Sequence, residues 1–567
     1  MAHYQISYQN PHKHFIDITL TVTNQNNDFL LFQLAAWRPG RYELANFSKN
    51  IQTFCAQDEC GESLNFEKVS KDCWKVECST TDKVIVSYNY YANILDAGST
   101  YLDEKQLYVN PVNCCMYVVN DENNPCTVEL EIPDSYQIAG GLPVNEKGYL
   151  VATNFDNLAE SPFICSDSLK HEMYTVNGIP FHLWIQGHCQ PNFEKVLNDF
   201  KQFTITQINS FDSFPTDDYH FLFQITPYPS YHGVEHTNST VILMGSVDDV
   251  FTTKYENILG ICSHELYHTW NIKAIRPKEM FPYDYTKENY SRLGYVAEGV
   301  TTYMGDLMLI KSKVFSWDQF IKTQNENLKR HYENDGRHNL SVADSSFDTW
   351  LDGYSLGIPN RKTSIYADGA LCMLMIDLFI IQNTNAKLSL CDVMKVLYKD
   401  FRESGYSEDD FMNLCIKYGG DNVKYVFEKY IYGTEDYTQY LNKALNVVGY
   451  HLEETLNPNL SARRYGFISV VENGKHIIKK IQDNSEADLK KLAVEDEILS
   501  INNIQLKDKK LTKVLEENEG PVSVEIKKRF TNVSINLNSN NHYALFTIKS
   551  CSEPSKDQLH LRKYWVN

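Results

Sequence analysis

The stretch that most restricts what this chain can fold into runs from Ile258 to Ile310 and contains His264-Glu265-Leu266-Tyr267-His268 and, further on, Val296-Ala297-Glu298-Gly299. On a helix, side chains four residues apart leave from one face with Cβ atoms about 5–6 Å apart, so His264 and His268 can share one metal ion. Glu265 stands beside that face. Ile258, Ile261, Cys262 and Leu266 recur at helical spacing with the histidines on another face, which predicts a motif lying mid-helix. Val296, Val300, Met304 and Leu307 recur in the same way around Glu298 and set it into a packed position, where it can act as the third protein ligand. Zinc held by three protein ligands keeps an open position for a water whose pKa falls to about 7, and an adjacent carboxylate such as Glu265 can take the proton. This is a hydrolase design. Thr302 and Asp306 follow Glu298 at four-residue steps and can either orient a ligand or face solvent.

At 567 residues the chain predicts three or four domains of roughly 150 residues each. Its 37 tyrosines and 43% hydrophobic content predict a globular, β-rich protein rather than a disordered one. A formal net charge of −20 argues against nucleic acid and anionic membrane as partners, since both require a basic footprint. The first residues, Met1 to Ser7, lack the basic and apolar regions of a secretory signal, and the longest apolar run, Leu371 to Ile381, is too short for a bilayer and carries Asp377. A soluble cytoplasmic protein is expected. Fourteen cysteines without a C-x-x-C pair then read as reduced thiols, mostly small apolar packing groups, adjacent Cys114 and Cys115 included.

The first 170 residues have a period of two: Ile16, Ile18, Leu20 and Val22 alternate with polar residues, as do Val84, Val86, Tyr88 and Tyr90, and Val128, Leu130 and Ile132. An antiparallel, sandwich-like β-domain is predicted over 1–170. Strands continue at Phe181 to Ile185, at Tyr219 to Thr226 and at Thr240 to Met244, with a helix from Asn192 to Phe211. From Tyr255 to Gly449 the pattern is mostly helical, with N-caps at Ser389, Ser407 and Asp436 and C-caps at Gly419, Gly433 and Gly449. Asn457-Pro458-Asn459 reads as a linker, after which short strands such as Glu497 to Asn502 return with a short helix at Ala487 to Leu492. The expected organisation is α+β multidomain: 1–170, a helical unit over 171–456, and a small β-domain over 457–567.

Tyr231-His232-Gly233-Val234-Glu235-His236 stands between two strands. A glycine just before a carboxylate is either an edge-strand turn or backbone held close to a ligand with a negative charge beside it.

Several motifs in the same order resemble the glycyl aminopeptidase family of zinc metallopeptidases, within the gluzincins. They are His264-Glu265-Leu266-Tyr267-His268-Thr269-Trp270-Asn271, Arg276-Pro277, Ala297-Glu298-Gly299 and Trp37-Arg38-Pro39-Gly40-Arg41-Tyr42. Tyr465-Gly466-Phe467-Ile468 and Asp496 to Asn502 resemble the family's PDZ module. The resemblance implies an N-terminal β-domain, a thermolysin-like catalytic domain and a C-terminal PDZ-like domain, with one Zn2+ per chain on His264, His268 and Glu298. It further implies Glu265 as general base and Tyr366, in Tyr366-Ala367-Asp368-Gly369, as the donor to the oxyanion. Gly233, Val234, Glu235 and His236 match the exopeptidase motif, which assigns Glu235 to the α-ammonium of a peptide with a free, small N-terminal residue, glycine or alanine. Two positions depart from the family pattern: His232 replaces a second glycine and Asp368 a lysine. Two other readings stay open, a zinc endopeptidase on the same chemistry and a peptide-binding adaptor in which the PDZ-like domain acts and the zinc site is residual.

Overall fold

A computed structural model describes residues 2–355, 357–507 and 510–567. The alternation around Ile18 forms the strand Phe15–Thr23, which pairs antiparallel with Lys83–Tyr91 along its whole length. These two lie in a six-stranded sheet, and two four-stranded sheets complete the N-terminal unit. Ile16, Leu20, Phe32, Trp74 and Val86 are buried together in its core. One pairing departs from the expected antiparallel pattern: Ala2–Ser7 runs parallel to Cys126–Leu130. No hairpin joins these two strands. The long connection between them passes through other strands, which removes the constraint that makes adjacent strands antiparallel.

The second unit begins with a mixed five-stranded sheet, in spatial order Lys170–Val176, Ile179–Gln186, Tyr219–Thr226, Ser239–Gly245 and Ser230–Glu235. Every residue of Tyr219–Thr226 is buried, because the sheet is covered on both faces. Phe221 meets Phe200 of the helix Phe193–Phe211, whereas Leu222 packs with Tyr108 and Ile164 of the N-terminal unit. The Tyr231 to Glu235 stretch is therefore itself an edge strand, bonded only to Ser239–Gly245.

Helices follow. Tyr255–Tyr267 packs against Thr301–Lys311, and Ala367–Asn383, whose apolar residues are buried all round, forms the centre of this unit. Among the described residues no helix is long and apolar enough to cross a membrane. Ser389 and Ser407 form capping boxes with Asp392 and Asp410, while Gly419 lies inside the helix Glu408–Val426, which kinks one residue later at Gly420. All fourteen cysteines are free.

The last expected boundary needs correction. A small sheet of Phe467–Glu472, Lys475–Ile481, Glu497–Ile501, Val522–Lys528 and Thr531–Leu537 has its own core of Phe467, Ile478, Ile498 and Val524. It does not extend to residue 567. Leu545–Ser550 returns to pair with Tyr450–Thr455, and the helix Lys556–Val566 buries Leu561 and Trp565 in the core of the helical unit. Trp565 Nε1 donates to the Tyr303 hydroxyl over 2.8 Å.

Candidate active site

The helix Tyr255–Tyr267 buries Ile258, Ile261, Cys262 and Leu266, as the period predicts, and turns His264 to a cleft. The motif closes the helix rather than lying within it, and His268 is the C-cap residue in helical geometry. Its carbonyl accepts from the amides of Ile272 and Lys273, so the chain turns away at once. His268 Nδ1 donates to the Asn271 carbonyl over 2.7 Å, which leaves Nε2 directed at His264 Nε2, 3.0 Å away.

Glu298 arrives on a wide π turn, Tyr295–Val300, that runs on into Thr301–Lys311. One extra residue in this turn carries Glu298 toward the histidines, with Oε2 at 3.6 Å from His264 Nε2 and 3.5 Å from His268 Nε2. Asn271 fastens the two segments, since its Nδ2 donates to the carbonyls of Val296 (2.8 Å) and Ala297 (3.2 Å) and to Thr301 Oγ1 (3.0 Å). Thr301 Oγ1 also lies 3.4 Å from His268 Nδ1, so Asn271 and Thr301 orient His268 and the Glu298 turn. Thr302 and Asp306 do not perform that task. They line the cleft further along, where Gln324 donates to Asp306.

Three donors converging on one point, His264 at the cleft surface and His268 and Glu298 buried, fit a metal ion. Tetrahedral zinc with bonds of about 2.0–2.1 Å has donor-to-donor edges of about 3.3–3.4 Å, close to the 3.0, 3.5 and 3.6 Å separations here. Burial acts to lower the His268 pKa, but the Glu298 carboxylate outweighs it and lifts it to about 9. Glu298 is itself held well below the usual carboxylate range by the two imidazoles, against its burial. The Glu298 carboxylate thus draws positive charge toward this point.

Glu265 is buried, Oε2 has no hydrogen-bond partner, and burial pushes its carboxyl up to about 8, with His268 opposing. Gly233 of the edge strand passes directly over it, and a Cβ there would overlap Glu265 Oε1. On the same strand face, two residues on, Glu235 is buried and its ligating oxygen lies within 4.8 Å of those of Glu265 and His268. Val234 points the other way, into the cluster of Tyr108, Leu222 and Val241. His236 is buried facing Glu160 at 3.9 Å, and neither it nor Val234 lines the cleft. His232 does line it, and burial, with Arg38 adding repulsion, lowers its pKa to about 4. From the N-terminal unit Gly40 closes the cleft beside Glu235, so close that a Cβ would come within 2.6 Å of Glu235 Oε2.

Residues 3–167 match the family model of the Peptidase M61 N-terminal domain, and residues 257–372 match that of the M61 glycyl aminopeptidase. An aminopeptidase N family protein from Idiomarina loihiensis, 26% identical, superposes with a TM-score of 0.92 over 100% of each chain. An M1 zinc metallopeptidase from Deinococcus radiodurans, 12% identical, aligns over 77% of this chain and 94% of its own with a TM-score of 0.49. No curated protein is matched. His264, Glu265, His268, Glu298 and Tyr366 all fall inside the M61 glycyl aminopeptidase segment, whereas Glu235 lies between the two matched segments.

Tyr366 immediately precedes the helix Ala367–Asn383 and is 37% exposed, on the cleft wall. Confinement there, and then the Glu298 carboxylate, push its phenol well up, so it remains a proton donor. Its helix is drawn against the Glu298 turn by two glycines, because a Cβ at Gly299 would come within 2.7 Å of the Gly369 backbone. Asp368 faces away from the cleft and pairs with the buried His331, which together with other hydrogen bonds keeps its carboxyl low despite burial. The departure at Asp368 is thus absorbed by a partner outside the site. The whole cleft has a volume of about 470 Å³.

Proposed function

We propose that this chain is a zinc-dependent aminopeptidase removing small N-terminal residues, glycine or alanine, from peptides. His264, His268 and Glu298 would hold the ion. Zinc supplies Lewis acidity and a water of pKa about 7 at such a site. Glu265, buried beside it, takes the water's proton and passes it to the leaving amine. Tyr366 donates a hydrogen bond where the carbonyl oxygen gains charge, a contact worth about 2.7–4 kcal/mol when preorganised.

One observation carries the exopeptidase reading. The buried Glu235 carboxylate lies within 4.8 Å of Glu265 and His268, on the cleft wall beside Gly40. A cation there is the α-ammonium of the residue being released, and a substrate lacking it leaves Glu235 desolvated and unpaired. Gly40 crowds the Glu235 carboxylate, which supports a small first residue.

The test is a panel of aminoacyl p-nitroanilides with free and N-acetylated termini, run on protein with quantified zinc. Cleavage of glycyl and alanyl substrates is expected, with none of the acetylated forms, and E265Q should lower the rate by about 10²–10⁴-fold. Equal cleavage of acetylated substrates would establish the endopeptidase reading instead. For the small C-terminal sheet, a cavity of about 520 Å³ between the edge strand Phe467–Glu472 and the helix Leu511–Glu516 supports the PDZ-like resemblance, with an extended peptide end as occupant.

A further inference from the structure

Behind Glu235 lies a buried cation that the reaction above does not use. Lys273 follows His268 by five residues, its amide bonded to the His268 carbonyl over 3.0 Å. Its side chain runs inward, away from solvent. Nζ is 2.8 Å from Glu160 Oε2 and 3.9 Å from Glu235 Oε1, and the Lys273 and Glu160 side chains are each 1% exposed. Glu160 belongs to the N-terminal unit, where it caps the helix Phe155–Ala159. The three residues thus join the loop after the metal-binding helix, the edge strand of the mixed sheet and the other domain.

The charges do not balance. Two carboxylates share one ammonium, which stands at contact distance from Glu160 and a full ångström farther from Glu235. The neighbouring cations are engaged elsewhere: Arg276 pairs with Asp156 at 3.2 Å and covers the Tyr283 ring at 4.0 Å. Arg38, also buried, makes no ion pair with Glu235 or Glu160 and donates to the Pro39 carbonyl. His236 cannot supply charge, since burial and then Lys273 hold its pKa well below the usual value. Glu235 Oε1 has no hydrogen-bond partner, nor do the Lys273 ammonium and the Glu160 carboxylate, so what distinguishes Glu235 is its longer ion-pair distance. Buried charges are tolerated only when paired, so this grouping is one cation short.

We propose that Lys273, seated on Glu160, is the positioning residue for Glu235: it holds the carboxylate toward the cleft without neutralising it, so that a substrate's α-ammonium completes the set of two anions and two cations. Glu160 is essential to the arrangement. It keeps Lys273 from closing fully on Glu235, and so the N-terminal unit takes part in recognising the free amine. The inference rests on the assignment of Glu235 to the ammonium.

The test uses full-length, zinc-loaded K273M, K273R and E160Q beside E235Q, read by KM and kcat on glycyl p-nitroanilide and by competitive inhibition with glycinamide. K273M should raise KM and the glycinamide inhibition constant by about tenfold or more, with kcat changed less than threefold and zinc content unchanged. K273R should recover most of the loss. E160Q should also raise both constants, because Lys273 is then released to occupy Glu235 itself. A K273M protein that loses kcat or zinc while glycinamide inhibits as in the parent would overturn the proposal. If K273M does not fold, an unchanged glycinamide constant in E160Q overturns it equally. E235Q separates the two levels: if it leaves glycinamide inhibition unaltered, the assignment of Glu235 fails, whereas an effect in E235Q without one in E160Q sinks only the role of Lys273 and Glu160.

Discussion

Gly233 crosses Glu265 with no space between them for a side chain. The edge strand and the helix Tyr255–Tyr267 are in contact at the carboxylate proposed to move the proton. G233A should displace either the strand or the Glu265 carboxylate and cost about 1–3 kcal/mol of stability, as overpacking does. A fall in kcat of tenfold or more with zinc content retained is the expected kinetic result. Unaltered kcat in a folded G233A protein would show that the carboxylate position does not matter.

Removing the metal should be visible in stability as well as in activity. A ligand bound only by the folded state at 100 times its Kd adds about 2.7 kcal/mol. Chelation should therefore lower the Tm of the parent protein by several degrees and leave H268A unaffected, because that variant has no site to empty. Differential scanning fluorimetry with and without chelator checks this.

Asn271 should matter to the metal without touching it. Its side chain spans the Val296 and Ala297 carbonyls and Thr301, and its own carbonyl accepts from His268 Nδ1. N271A leaves three buried acceptors short of a donor and frees the Glu298 turn. Zinc affinity should drop about 10–100-fold, measured by competition with a fluorescent chelator.

Y366F tests the oxyanion donor. Loss of one such donor typically costs about 10²–10³ in kcat. KM for glycyl p-nitroanilide should change little, since the contact forms as charge develops. A parallel rise in KM would mean that Tyr366 binds the ground state instead.

Asp306 supplies a pH signature of stability. Burial raises its carboxyl to about 7, with Thr323, Arg330 and Gln324 opposing. An acid whose folded pKa lies above its unfolded value near 3.9 favours the folded state fully below that value and loses this contribution as pH rises through about 7. D306N should thus be no more stable than the parent at pH 4 but gain several degrees in Tm over it at pH 8.

The three residues proposed to hold zinc were legible because helical spacing alone sets His264 and His268 on one face and surrounds Glu298 with apolar residues. What spacing could not distinguish is a regular helix from one with a widened turn, and the position of Glu298 depends on that turn. Nor does spacing mark where the helix of His268 stops, a matter of the Ile272 and Lys273 amides returning to its carbonyl. Strand alternation does separate Glu235 from Val234, since one faces the cleft and the other the core, although the four-residue motif treats them as a unit. Lys273 carried no signal. Its partners are more than thirty residues away in one direction and in a different domain, and an isolated lysine after a helix reads as a surface residue. The end of the chain misled for a similar reason: nothing local marks where the small unit over 457–567 stops, and only the pairing of Leu545–Ser550 with Tyr450–Thr455 shows that the chain has returned.

That return has a mechanical meaning. Thr455 and Leu545 stand opposite each other in one ladder, about 5 Å apart as paired strand residues are. Everything between them is a bead strung on a closed loop whose two ends are already stitched. Excising residues 456–544 and bridging the gap with a few glycines would leave the catalytic core its final strand and helix, whereas truncating the chain after residue 456 would strip Trp565 from beneath Tyr303.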